Sequence, residues 1–286
     1  MLRFILNADD YAFSPEVDDG IICLAEAGLV TSVSVLASSP RWPSAAARLA
    51  QLPVDVGLHL DLTSPYAASA SNGGRSVVAV MRDAWARRLD AREVRRWILE
   101  QCRRFEDALG QAPVFVDGHQ HVHQFPVIRD VLLDVLEHRY ANARPHLRLC
   151  RPRCYRGLKA TLIGALGGAK LTQQASARGF SFNSDFAGVY AFGSQNLQRL
   201  WAIWLTGLSG SAPLIMCHVA RADPNQPASS RIADRIHAAR LAEYAWLSSD
   251  DFAALCEMLK ARPVRWTDVM GVRFPDRAPS ASTLRR

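Results

Sequence analysis

The sequence predicts an α/β protein, a distorted or incomplete (β/α) TIM-like barrel, and three observations carry that expectation. Short apolar runs of strand length alternate with amphipathic stretches roughly seven times along the chain. No GxGxxG follows the first run, as a dinucleotide-binding sheet would require. The residues able to do chemistry, above all Asp9, Asp10, His59, His119 and His218, stand at or just beyond apolar runs, at the carboxyl edge where parallel α/β proteins build their sites.

Length and composition agree. With 286 residues, 49% of them hydrophobic, the chain can bury a full core and is not a disordered polymer. Residues 1–274 read as one catalytic domain, and the Pro/Ser/Arg-rich 275–286 as a disordered tail. The longest apolar stretches, such as Leu162 to Leu166, are far too short to span a bilayer, so no stable membrane insertion is expected. Met1 to Leu6 runs straight into Asn7-Ala-Asp-Asp10 without a signal-peptide pattern, and the expected compartment is the cytoplasm. The six cysteines are scattered without a CxxC pair and read as reduced, mostly buried thiols. A formal charge of +7 raises the question of nucleic acid. The arginines between Arg82 and Arg104, however, share their segment with Val94, Trp97, Ile98, Cys102, Phe105 and Leu109 at helical spacing. They read as a solvated helix face, and no nucleic-acid partner is expected.

Taken in order, Leu2 to Leu6 is a strand that ends at two adjacent carboxylates, which repel unless a cation or proton intervenes. Ser14-Pro15-Glu16 caps a helix running to about Ala27 and stopped by Gly28. Thr31 to Ala37 is a strand, and a helix over Ser44 to Leu52 follows. Val54 to Leu62 is the third strand, with Val54, Val56, Leu58, Leu60 and Leu62 on one face and Gly57, His59 and Asp61 on the other. Pro65 to Gly74 is a flexible loop placed to cover a substrate. The Arg-rich helix has Asp90-Ala-Arg-Glu93 as its capping box.

Pro113 to Val116 is a buried strand leading into Asp117-Gly-His-Gln-His-Val-His123. If that run is extended, Asp117, His119, His121 and His123 share a face and form a cluster of ligands. A single metal takes three or four protein ligands, so not all of them can bind it if other segments contribute. Helix Pro126 to Arg139 and strand Leu147 to Cys150 come next, and Arg151 at the strand's end is suited to anionic or hydroxylated groups. Gly157 to Ala177 has helical spacing weakened by Gly164, Gly167 and Gly168. Phe180 to Phe192, with Phe186 at its centre, suits a sugar-stacking surface and equally an ordinary packed loop. Helix Gln195 to Leu208 and strand Pro213 to Cys217, ending in His218, precede helices Arg231 to Tyr244 and Asp250 to Ala261 and a last strand, Val264 to Trp266.

Brought to one mouth, an aspartate and two histidines with open coordination positions make a hydrolytic metal site, because coordination lowers the pKa of a bound water. The ordered set Asn7 to Tyr11, Thr31-Ser32, Gly57 to Leu60 with Leu62-Thr63, Asp117 to His123, Asn183 to Tyr190 and Cys217-His218 resembles the YdjC/ChbG-type carbohydrate deacetylases. That family includes chitooligosaccharide deacetylases and the hopanoid-associated HpnK group, and the resemblance runs to about Asp268. It implies removal of an acetyl group from an N-acetylated sugar or glycoconjugate. It further implies Asp10, His59 and His119 as ligands of one divalent metal, Asp9 as general base and His218 as the acid. Asp117, His121 and His123 would then orient ligands or contact substrate. The resemblance suggests magnesium, while the ligand types also suit zinc, manganese or cobalt.

Two positions depart from the family pattern. Ala12 stands where a glycine is usual, and Val219-Ala220 where Pro-Gly is usual. Competing readings are another metal hydrolase on the same barrel, such as a phosphoesterase using His121 and His123 for a second metal, or an amidohydrolase, and a sugar-binding barrel without chemistry. Oligomeric state is not encoded legibly, and a homodimer is left open.

Overall fold

The computed structural model of the chain describes residues 1–67, 74–193, 196–224 and 233–271. Its strands, in chain order, are β1 (Leu2–Tyr11), β2 (Ser32–Val35), β3 (Asp55–Leu60), β4 (Phe115–Gly118), β5 (His146–Leu147), β6 (Asp185–Ala187), β7 (Pro213–Cys217) and β8 (Ala261–Pro263). All pairs are parallel, in the order β5-β4-β3-β2-β1-β7-β6, with β8 on the opening residues Leu2 to Phe4 of β1. The sheet curls until its edges nearly meet. Leu147 and Phe182 form a single parallel bridge. Beside it, the Asn183 side chain accepts from Leu149 N at 2.7 Å and donates to Leu149 O at 3.0 Å. One bridge and one side chain stand where a closed barrel has a ladder, so the barrel is incomplete, as expected.

The helices are α1 (Pro15–Glu26), α2 (Trp42–Leu49), α3 (Val77–Trp85), α4 (Ala91–Leu109), α5 (Ile128–Arg139), α6 (Leu158–Ile163), α7 (Ala169–Ala177), α8 (Leu197–Gly207), α9 (His237–Leu247), α10 (Asp250–Met258) and α11 (Trp266–Met270). Ser14 caps α1 by accepting from Val17 N, with Pro15 in the first turn. Asp90 caps α4 through Arg92 N, while Glu93 turns outward to Arg96 instead of completing the box. Val94, Ile98, Cys102 and Phe105 are the buried stripe of α4, and Arg103 and Arg104 on its outer face pair with Glu100. The helix expected over 157–177 breaks in two at Leu166 and Gly167, where Gly167 adopts φ +109° against the Gln124 carbonyl.

The last strand lies three residues earlier than its apolar pattern suggested, because Trp266 opens α11 and turns its ring inward. There it stacks between Phe115 and His146, each 5.4 Å away, and closes one end of the barrel. Gly57 leaves the space that the Phe115 ring fills, since a Cβ there would lie 2.4 Å from it. The α3 segment carried no sequence expectation. Most of the Pro65–Gly74 loop, the first residues of the helices expected from Gln195 and Arg231, and the tail 275–286 lie outside the described residues. Among those described, no helix is long and apolar enough to cross a membrane.

Candidate active site

In a regular strand Asp9 and Asp10 would face opposite sides. Asp10 instead adopts φ +72°, and the register of β1 against β2 shifts between Ala8 and Tyr11. This bulge turns both carboxylates into one cleft of about 800 Å³ at the carboxyl edge of the sheet. Ala12 also sits at φ +72°, its N–H donating to Asp18 Oδ1 at 2.6 Å. The turn that a glycine would make freely is thus kept with a Cβ, at roughly 1–2 kcal/mol.

Three donor atoms converge on the cleft floor. Asp10 Oδ1 lies 2.8 Å from His119 Nδ1 and 3.3 Å from His59 Nε2. Each of the two buried ligands is held from behind. Asp117 Oδ1 takes His59 Nδ1 at 2.6 Å, and Arg240 Nη2 donates to Asp10 Oδ2 at 2.6 Å. A histidine whose Nδ1–H is committed to a carboxylate presents its Nε2 lone pair outward, the arrangement metal-binding histidines adopt. The donor set of one carboxylate and two imidazoles, with its donor atoms within 4.8 Å of one another, therefore fits a divalent cation. Burial opposes the imidazolium of His59, but Asp117, Asp10 and Asp9 outweigh it and push that ring up to about 10. Burial likewise opposes the Asp10 carboxylate, yet His119 and Arg240 hold it well below the usual range.

Asp9, His59 and Asp117 form a second close group. Here the guanidinium of Arg148 fills the cation's place, with Nη1 2.6 Å from Asp9 Oδ1 and 3.0 Å from Asp117 Oδ2. Asn7 donates to Asp9 Oδ1 at 2.6 Å and to Ser34 Oγ at 2.8 Å, and Ser34 donates to Asp117 Oδ2 at 2.5 Å. Burial would raise the Asp9 carboxyl, but Arg148, His59 and His218 outweigh it and keep it ionised. Its Oδ2 is left toward the cleft, 4.0 Å from His59 Nε2 and 3.9 Å from His218 Nε2.

The His-rich run is not extended. After Gly118 the chain turns through His119–Gln124, with Gln120 at φ +52° and His121 at φ +62°. Only His119 reaches Asp10. His121 lies 3.3 Å from Cys150 Sγ and edge-on to Phe186 at 6.0 Å. His123 folds back under Gly118, where a Cβ would lie 2.8 Å from its Nδ1, and its Nε2 meets Arg148 O at 2.8 Å. No candidate metal group among the described residues includes His121 or His123, so the second-metal reading loses its ligands. Burial, aided by Arg148, pulls His123 down to about 4.

Two further expectations change. Phe186 is fully buried in β6, because its strand position faces the core, and the aromatic rings that line the cleft are those of Phe13, Phe125, Tyr190 and Phe192. Arg151 follows the buried Cys150 and is exposed outside the cleft lining. The arginines that hold the site's carboxylates are Arg148 and Arg240, and for Arg148 a charged residue inside the apolar Leu147-Arg-Leu-Cys150 was the available signal.

His218, the first residue after β7, is the barest of the group. Its Nδ1 is buried with no hydrogen-bond partner among the described residues, its ring meets Phe192 edge-on at 5.2 Å, and burial pulls it down to about 4. Its backbone N–H donates to Glu243 Oε2 at 3.1 Å. Burial pushes the Glu243 carboxyl up to about 8. Val219 and Ala220, which replace Pro-Gly, are both fully buried, and Ala220 N donates to Arg240 O at 3.2 Å. Glu243 and Arg240 carried no signal in the sequence, since polar residues on an amphipathic helix read as its outer face.

Comparison with known proteins agrees with this frame. A chitooligosaccharide deacetylase of Klebsiella pneumoniae strain 342 is 31% identical over 227 residues, covering 77% of this chain and 82% of its own. A carbohydrate deacetylase of Mus musculus is 31% identical over 147 residues, 48% of this chain and 47% of its own. The chain thus spans about half the length of that relative and of its human counterpart. A crystal structure from Enterococcus faecalis V583, named for cellobiose-phosphate cleavage, superposes with a TM-score of 0.69 at 21% identity, over 93% of this chain and 98% of that one. It shares the fold. The profile of a family described as YdjC-like protein matches residues 3–258, and this chain belongs to that family.

Proposed function

We propose that the protein is a metal-dependent deacetylase that hydrolyses the N-acetyl group of an N-acetylated sugar or glycoconjugate. One observation carries the reading. The open Oδ2 of Asp9 stands about equally far, at 4.0 and 3.9 Å, from the Nε2 atoms of His59 and His218, so base, ligand and acid candidates surround one point on the cleft floor. The names of the Klebsiella and mouse relatives support the substrate class.

A divalent cation held by Asp10, His59 and His119 would polarise the acetamido carbonyl and acidify a water. Asp9, anchored through Oδ1 by Arg148 and Asn7, offers Oδ2 to receive that water's proton. Addition of the hydroxyl to the carbonyl carbon and cleavage of the C–N bond leave acetate and an amine. His218 Nε2, 3.9 Å from Asp9 Oδ2, is the atom we assign to take up the proton that Asp9 received from the water and pass it to the departing nitrogen. Phe13, Tyr190 and Phe192 supply apolar walls for a sugar ring. Magnesium and zinc are both compatible with the ligand set. The test is acetate release across a panel from N,N′-diacetylchitobiose to lipid- and nucleotide-linked N-acetylglucosamine, with and without chelator, beside phosphomonoester controls. Chelator-sensitive acetate release is expected. Phosphate release with no acetate from any sugar would remove the proposal.

A further inference from the structure

The ladder between β7 and β1 ends at Cys217, paired with Ala8. The next backbone N–H, that of His218, has no strand to donate to and uses Glu243 Oε2 instead, at 3.1 Å. The other oxygen of that carboxyl accepts from the Tyr190 hydroxyl at 2.7 Å. Two residues on, Phe192 packs on the Tyr190 ring at 4.8 Å and meets the His218 ring at 5.2 Å. Phe192 adopts φ +57°, a conformation that a residue with a Cβ holds only when its surroundings fix it. Glu243 thus ties the tip of β7 to the loop that forms one wall of His218.

Glu243 is 1% exposed and comes from α9, three positions after Arg240, which holds Asp10. Residues three apart share a helix face, so one face of α9 grips both ends of the proposed machinery. The imidazole of His218 gets no such help directly from the described residues, among which Nδ1 has no partner and the Asp9 oxygen is 3.9 Å from Nε2. Its orientation rests on its backbone anchor and its walls.

We propose that Glu243 is a positioning residue, which fixes the His218 imidazole toward Asp9 by clamping the β7 tip to the Tyr190–Phe192 loop. The consequence for turnover rests on the deacetylase reading above, but the ordering of the His218 ring does not. Because the carboxyl is largely neutral at pH 7, glutamine is a close replacement whose amide can accept from His218 N and donate to the Tyr190 oxygen.

The experiment uses the full metal-loaded chain as wild type, Glu243→Leu, Glu243→Gln and Tyr190→Phe. Two readouts are taken, the side-chain NMR resonance of His218, assigned by its loss in His218→Asn, and kcat with KM on the best substrate of the panel. Glu243→Leu should broaden or split the resonance and lower kcat roughly 10- to 100-fold, with KM within about twofold. Glu243→Gln should restore a single resonance and recover kcat at least about tenfold over the leucine variant, and Tyr190→Phe should fall between. A folded Glu243→Leu with a sharp resonance and kcat within about twofold of wild type overturns the proposal. So does a folded glutamine variant as impaired as leucine in both readouts. If the leucine variant does not fold, an unchanged resonance in Tyr190→Phe overturns it. If the wild type releases no acetate, the deacetylase reading falls and the resonances alone decide the positioning role.

Discussion

The two ends of the cleft floor are built by opposite means. At the end formed by β1 to β5, Asp10, His59, Asp117, Arg148, Ser34 and Asn7 make a buried network of hydrogen bonds, most of them charge-assisted. At the end formed by β7, His218 stands on packing and one backbone bond. The network end surrounds His59 with carboxylates and holds Asp10 ionised, whereas burial keeps the His218 ring neutral. A site that must hold a cation needs ligands locked in direction, and low dielectric makes such a network strong only when nearly every group is satisfied. A group that must trade a proton is better left without a strong partner that would fix its charge.

The largest expected effect comes from breaking the network end. Asp10→Ala removes the carboxylate on which His59, His119 and Arg240 meet, and should abolish metal binding in calorimetric titration and lower turnover on the order of 10³-fold or more. His218→Asn, at the other end, should lower kcat by roughly 10²–10⁴-fold while metal affinity stays unchanged. Equal weakening of metal binding in both variants would erase the distinction between the two ends.

Asp9→Asn sharpens the comparison, because Asp9 faces both ends. Metal should remain bound while kcat drops roughly 10²–10⁴-fold. The fully buried Arg148 would then lean on Asp117 alone, and unfolding free energy should fall by roughly 3–5 kcal/mol, read by urea titration. Retained turnover in that variant would reassign the base. Ser34→Ala is milder. It frees Asp117 Oδ2 from a 2.5 Å bond and loosens His59, so metal affinity should weaken about tenfold with kcat at saturating metal little altered. No change in affinity would mean that Arg148 alone fixes Asp117.

The parts of this arrangement written in local pattern could be read in advance. Ser14-Pro15-Glu16 marks the start of α1, Pro213 to Cys217 is β7 to the residue, and Asp9, Asp10, His59, His119 and His218 do meet at one edge. The His-rich run, whose alternate histidines would share a face if it were extended, does not continue as a strand. Its course is decided instead by left-handed Gln120 and His121 and by the room Gly118 leaves for His123. Arg240 and Glu243 stand 230 and 25 residues from the partners they hold, and on an amphipathic helix such pairings leave no local trace, whereas Arg148, 139 residues from Asp9, shows only as a charge inside an apolar run. Phe192 and Phe186 belong to one aromatic run, and only the strand position of Phe186 separates the core ring from the cleft ring.

The smallest effect tests whether burial alone can keep an imidazole neutral, using a histidine that belongs to neither end. His146 lies on β5, stacked on Trp266 with planes 7° apart, and burial pulls it from 6.5 down to about 4. Between those values the unfolded chain binds a proton that the folded chain refuses, so stability falls as pH drops through 6.5 and the full cost is reached below about 4. His146→Phe keeps the stack and removes that proton, together with the 2.6 Å hydrogen bond to Ser181 Oγ, whose loss is common to both pH values. The loss of unfolding free energy between about pH 7 and 4.5 should therefore shrink by about 2 kcal/mol relative to wild type, measured by urea unfolding at the two pH values. Turnover at pH 7 on whichever substrate the panel identifies should be unchanged, because His146 is outside the cleft lining. If wild type and variant lose the same stability, a buried imidazole in this barrel takes up its proton without penalty. The neutral ring at His218 would then need a cause other than desolvation.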